Sequence, residues 1–145
     1  VLASRSEAEL APYTAAWAVL RQGISFSNIS SEDLAFVYEN TFVTPETRKQ
    51  LGTHSTPRQL AEYAVSRLDL HRFAPEELTV YEPFAGAGVF LVSALRHLRD
   101  LLPSEWSDRE RHQFLVQRLA GDEYDPFACE VATLSLILAD YPNQN

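Results

Sequence analysis

Glu82-Pro83-Phe84-Ala85-Gly86-Ala87-Gly88 carries the strongest chemical signal in the chain. It follows a β-branched and aromatic run, Leu78-Thr79-Val80-Tyr81, and opens directly into the apolar-periodic segment Val89-Phe90-Leu91-Val92-Ser93-Ala94-Leu95. A strand, a glycine-bearing turn and a helix N-terminus make a nucleotide cradle. The glycines let backbone N–H groups approach a ligand, and the helix start adds partial positive charge. Glu82, the acid just before the turn, would repel a pyrophosphate but suits a cofactor with a cationic amino group. Leu91 stands where the dinucleotide pattern needs its third glycine. The turn therefore favours S-adenosylmethionine over NAD.

A second candidate is Gly121-Asp122-Glu123-Tyr124-Asp125-Pro126. In doubly wound folds an acid at a strand end accepts hydrogen bonds from a ribose diol, and ligands gather at the carboxyl ends of strands. Glu123 lies further from the glycine turn than the roughly 20 residues of the simple dinucleotide unit. An extra helix around residues 107–117 accounts for the excess. Ordinary acids at a strand end and a helix N-cap would look alike, and Asp125 before Pro126 has that capping appearance. A third candidate is the loop Leu51-Gly52-Thr53-His54-Ser55-Thr56-Pro57, which ends in a helix start with Thr56 at the N-cap and Pro57 at the first helical position. Alone it is a common helix start. Placed before the glycine-turn strand, it is positioned to cover the carboxylate end of a cofactor.

The elements that hold these residues follow from periodicity and punctuation. Ser6 caps a helix with Leu10, Tyr13, Trp17 and Leu20 at helical spacing, and Gly23 ends it. Ser30 and Asp33 form a capping-box-like start for an apolar face of Leu34, Val37, Tyr38, Thr41 and Phe42. Thr44-Pro45 opens a short polar helix. After Pro57, the buried stripe is expected at Leu60, Ala64, Val65 and Leu68. From residue 78 the pattern becomes α/β: a strand ending near Glu82, a helix to about Leu102 stopped by Pro103, and a helix begun by Ser107-Asp108-Arg109-Glu110. A strand over 118–123 and a helix from Pro126 towards Asp140 follow. Two strands each followed by a helix argue for a parallel sheet. Two strands alone cannot cover both faces of one, so the domain is expected to be incomplete within residues 1–145.

Composition narrows the class. With 46% apolar residues the chain can bury a core, which excludes wholesale disorder. A single cysteine, Cys129, rules out an internal disulfide framework and fits a reducing cytosol, so a cytoplasmic location is expected. The apolar runs are too short for a membrane span, and no membrane role is expected. A net charge of −8 makes a poor DNA-binding face, because duplex affinity rests on neutralising phosphates. No Ser/His/acid arrangement or His/Cys metal spacing stands out among the four histidines and one cysteine.

In order, Gly52 to Pro57, Glu82 to Gly88 and Gly121 to Pro126 resemble the adenine-specific (N-6) DNA methyltransferases. The similarity is closest to the class whose cofactor motifs precede the catalytic motif, as in modification subunits of restriction-modification systems, and covers about residues 44–141. It implies a Rossmann-like, S-adenosylmethionine-dependent methyltransferase fold: a helical lead over 1–50, then the cofactor-binding N-terminal half of the domain over 51–145. Ser55, Thr56 and Pro57 are implied at the methionine end of the cofactor, along with Glu82, Pro83, Ala85, Gly86 and Gly88. The resemblance gives Glu123 the ribose hydroxyls and Tyr124 the adenine ring. Where many relatives have aromatics before Thr-Pro, this chain has His54-Ser55. The family's catalytic tetrapeptide (Asn or Asp, Pro, Pro, aromatic) is absent, and Tyr141-Pro142-Asn143 has the wrong order. The implied partners are DNA, through other regions of the parent protein, and a specificity or restriction subunit or domain. A methyltransferase acting on RNA or protein, or a non-catalytic cofactor-binding scaffold, would carry similar cofactor motifs.

Overall fold

The computed structural model describes residues 6–25, 27–51 and 55–140. Gly52, Thr53 and His54 of the polar loop, and the Tyr141-Pro142-Asn143 run, lie outside them. Among the described residues the first fifty are helical. Helix α1 (Glu7–Gly23) starts at Ser6, whose N–H and hydroxyl both donate to the Glu9 carboxylate. Helix α2 (Ser31–Val37) starts at Ser30 with the matching box: Ser30 N–H donates to Asp33 at 2.9 Å, and Asp33 N–H donates back to the Ser30 hydroxyl at 3.2 Å. A wide π-type turn, Tyr38–Phe42, continues α2, and α3 (Pro45–Leu51) follows. The wider turn breaks the 3.6-residue phase. As a result Tyr38 is buried while Val37 and Phe42 are half exposed, so the expected single apolar face is split.

Helix α4 (Arg58–Ser66) departs from expectation in two respects. Its N-cap is Pro57 rather than Thr56, with ψ at 139° and no side-chain cap. The Pro57 carbonyl instead accepts from the N–H groups of Leu60 and Ala61 at 3.0 and 3.1 Å. An extended ψ at Pro57 delays the helix by one residue. Of the expected stripe only Val65 is buried, together with Ala61, while Leu60, Ala64 and Leu68 are exposed. Two 3-10 turns, Leu70–Arg72 and Pro75–Glu77, lead into β1 (Val80–Glu82).

Strand β1 pairs in parallel with β2 (Leu119–Gly121), with Val80 opposite Leu119, Tyr81 opposite Ala120 and Glu82 opposite Gly121. Between them run α5 (Val89–Leu101) and α6 (Asp108–Val116), and α7 (Pro126–Asp140) follows β2. Pro103 forces Leu102 to an extended ψ of 150° and so ends α5. Ser107 and Glu110 form a reciprocal capping box at α6, like that of Ser30 and Asp33 at α2. The core is built on α5: Leu95, Leu98 and Leu102 meet Leu78 and Leu115, with Val80, Leu119 and Leu136 packed against them. A second cluster, Tyr38, Val43, Ala128 and Val131, joins the end of α2 to α7. Burying each such side chain is worth about 1.5–3 kcal/mol. Among the described residues no helix is long and apolar enough to cross a membrane.

Candidate functional site

The glycine turn and the acidic strand end meet at the carboxyl ends of the two strands. The Glu82 carbonyl accepts from Asp122 N–H at 2.9 Å, and the Asp122 carbonyl accepts from Ala85 N–H at 3.0 Å. Glu123 then reaches across: its Oε2 accepts from Gly86 N–H at 2.7 Å, and its Oε1 accepts from Asp125 N–H at 2.8 Å. One carboxylate therefore ties the turn to the strand end. Each of its oxygens keeps a further lone-pair direction for a ligand hydroxyl.

The two turn glycines do different work. Gly86 has φ +53°, and a Cβ placed there would meet nothing within 4 Å, so open space adjoins its backbone. Gly88 has φ +85° and caps α5, but its missing Cβ would lie 3.0 Å from the Ala132 Cβ. Gly88 thus lets α5 and α7 pack closely. Two aromatic rings flank the turn in solvent: Tyr124 is 88% exposed and Phe84, to which the motif assigns no role, is 85% exposed.

Asp125 is a helix cap, as its position before Pro126 suggested. Its Oδ1 accepts from Phe127 N–H at 3.0 Å, and its Oδ2 accepts from the buried Tyr38 hydroxyl at 2.7 Å. Burial, then the bond to Asp125, raises the Tyr38 pKa well above that of a free phenol. Tyr81 donates to Asp122 beside the strand end, and that bond raises its pKa as well.

Ser55, Thr56 and Pro57 line a groove of about 170 Å3 together with Glu39, Arg58, Ala87, Val89 and Arg96. Drug-sized ligands occupy sites of about 300–1,000 Å3, so the groove holds one end of such a molecule. It begins at Ala87, one residue past the apex of the glycine turn. Ser55 donates to the Glu39 carboxylate across it. Arg58 and Arg96 bind Glu32 at 3.1 and 2.9 Å and Glu62 at 2.6 and 3.7 Å, which ties α2, α4 and α5 into one wall. Burial would raise the Glu32 pKa, but the Arg96 guanidinium and the Glu32 and Ser31 hydrogen bonds hold it at about 2. On another side of the groove is Ser135, 1% exposed, whose hydroxyl has no hydrogen-bond partner among the described residues.

The structure thus brings Glu82, Pro83, Ala85, Gly86, Glu123 and Tyr124 together around the strand ends, and Ser55, Thr56 and Pro57 around the groove beside them. Glu39, Arg96 and Ser135 are among the groove residues that sequence reasoning missed. They sit mid-helix or in the π-type turn, outside any motif, and only tertiary packing turns them towards the groove. Among the described residues no group of three or more His, Cys, Asp or Glu is placed to hold a metal.

A glycine turn latched to an acid at the carboxyl ends of two parallel strands defines an α/β protein with its candidate ligand site at the strand ends. A family model for the MmeI DNA-methyltransferase domain matches residues 59–145, and the chain belongs to that family. Residues 59–145 therefore carry DNA-methyltransferase-domain sequence of the restriction-modification type. The match includes the glycine turn and Glu123 but begins after Ser55, Thr56 and Pro57. Comparison with curated proteins and with solved structures finds no match.

Proposed function

We propose that this chain is the S-adenosylmethionine-binding part of an enzyme that methylates the exocyclic amino group of adenine in DNA. In this reading, residues 51–145 are the cofactor half of a Rossmann-like domain and residues 1–50 are its helical lead. The observation that carries it is the Glu123 carboxylate holding the Gly86 N–H beside open space at the strand ends. A ligand can approach that backbone without displacing a side chain.

The roles follow from chemistry. Glu123 accepts the two ribose hydroxyls on its remaining lone pairs. Tyr124, already standing in solvent, flanks the adenine ring of the cofactor. Glu82 supplies negative charge for a cationic amino group, while Pro83, Ala85, Gly86 and Gly88 shape the turn. Ser55, Thr56 and Pro57 line the groove for the methionine end. When bound, S-adenosylmethionine supplies a methyl group on a sulfonium. The protein's task is to hold that end in line with the acceptor nitrogen and keep water out. The family match to a DNA methyltransferase favours DNA over RNA or protein as substrate.

Calorimetric titration tests the cofactor site. Wild type should bind S-adenosylhomocysteine and prefer it to the 2′,3′-dideoxy analogue, and Glu123→Ala should lose the preference. Each charge-assisted bond is worth about 1.5–3 kcal/mol. An undiminished preference in Glu123→Ala would overturn the ribose assignment. Specificity is read on the parent enzyme by tritiated-methyl transfer and nucleoside chromatography, with label on adenine expected and label on cytosine contradicting the reading.

A further inference from the structure

Tyr38 and Glu39 are neighbours on the π-type turn Tyr38–Phe42, and each reaches a different half of the candidate site. The Tyr38 hydroxyl donates to Asp125 Oδ2 at 2.7 Å, on the strand-end side. The Glu39 carboxylate accepts from the Ser55 hydroxyl, on the groove side. The same turn packs on the start of α7, with the Phe127 ring 4.6 Å from that of Phe42 and 5.6 Å from that of Tyr38. Wide turns of this kind inside helices recur at functional sites. Tyr38 lies outside residues 59–145, the part of the chain that the family model matches.

Packing alone does not require the Tyr38 hydroxyl, since a phenylalanine would fill the same space against Phe127. What the hydroxyl adds is a hold on Asp125. The Asp125 N–H donates to Glu123 Oε1 at 2.8 Å, and Glu123 Oε2 accepts from Gly86 N–H at 2.7 Å. Three hydrogen bonds to carboxylates therefore run in series from the buried ring, 3% exposed, to the glycine turn. Bonds to ionised acceptors are the stronger kind, and the members of such a network act together. We propose that Tyr38 is a positioning residue: through Asp125, its hydroxyl holds the Glu123 carboxylate in the orientation that receives the two ribose hydroxyls. The π-type turn is then the brace between the helical lead and the cofactor half, with Glu39 fixing the groove side through Ser55. Tyr38 has this role only under the cofactor reading above, and it touches no ligand itself.

The test is Tyr38→Phe in the chain of residues 1–145, which keeps the buried ring and removes only the hydroxyl. In the free protein, hydrogen exchange read by NMR should quicken at the Gly86 and Asp125 amides about tenfold more than at Leu98 in the core of α5. The loss of one hydrogen bond to a charged group is of that order. In calorimetric titration the variant should bind S-adenosylhomocysteine about tenfold more weakly and its 2′,3′-dideoxy analogue unchanged, so the preference for the ribose hydroxyls falls. Asp125→Ala should lower that preference too. Adding Tyr38→Phe to it should lower it no further, because both residues act on Glu123 by one route. A ring that only packs would weaken both ligands alike or neither, and would quicken all three amides by one factor. Either result overturns the positioning role, and so do additive losses in the double variant. Failure of the cofactor reading shows instead in the wild type, as equal affinity for the two ligands or none for either, and removes the role with it.

Discussion

At the scale of single residues, positive φ and the space beside a missing Cβ separate the two turn glycines. Gly86→Ala meets no atom within 4 Å and carries only the strain of φ +53°, about 1–2 kcal/mol. Gly88→Ala adds overpacking against Ala132 to the strain of φ +85°, about 2–4 kcal/mol together. Urea denaturation of both variants should show this order, and the reverse order would place the tight contact elsewhere. Glu123→Gln should also destabilise the free protein. Its side-chain amide can accept from only one of the Gly86 and Asp125 N–H groups and sets an N–H against the other. The expected loss is about 1–3 kcal/mol. No loss of stability would mean that the latch is dispensable to the turn.

At the scale of elements, the ion network between α2, α4 and α5 makes stability depend on pH. Glu32 has its folded pKa lowered from 4.5 to about 2. Its contribution is therefore fully present above about pH 4.5 and is lost as the pH falls from there through about 2. Because the side chain is a third exposed, screening reduces the contribution to the order of 1–2 kcal/mol. The capping carboxylates act in the same direction: the Ser30 backbone and hydroxyl lower Asp33, and the Ser107 hydroxyl and backbone lower Glu110. Chemical denaturation from pH 7 to pH 2.5 should show a shallower loss for Glu32→Gln than for wild type. Parallel curves would mean that the network contributes nothing. Helix α1 is a different case, since none of its residues is buried. Its amides should exchange faster than those of α5, whose Leu95 and Leu98 lie in the core. Hydrogen exchange reads this directly, and equal protection would show that α1 is covered.

At the scale of the whole molecule, charge and motif content set what residues 1–145 do alone. With a net charge of −8 they should bind duplex DNA no better than a generic acidic protein at physiological salt. Sub-micromolar, sequence-selective binding in a gel shift would contradict this. They also lack an Asn-or-Asp-Pro-Pro-aromatic tetrapeptide. Orientation of the kind such a segment supplies accounts for about 7–11 kcal/mol of a barrier. Tritiated-methyl incorporation into DNA by these residues alone should therefore be undetectable, and label on adenine would show that other side chains orient the acceptor.

What the amino-acid sequence determined by itself was local. Ser6, Ser30 and Ser107 pair with acids three residues on, and these short-range hydrogen bonds mark the starts of α1, α2 and α6 wherever the helices later pack. Pro103 stops α5 and the glycine turn joins β1 to it for the same reason: backbone sterics act between neighbours. Burial was less legible. Leu60, Ala64, Val65 and Leu68 read as an inward stripe, yet of these only Val65 is buried, beside Ala61, because what α4 faces is decided by α5 and not by α4. The site divides along the same line. Glu82 to Gly88 and Glu123 were visible as motifs, since a turn and a strand end are local features. That Glu123 latches Gly86, that Gly88 admits Ala132, and that Ser135 lines the groove with Ser55 depend on contacts between distant segments. Only the closed tertiary structure brings those segments together, because packing and hydrogen-bond satisfaction are settled between elements and not along the chain.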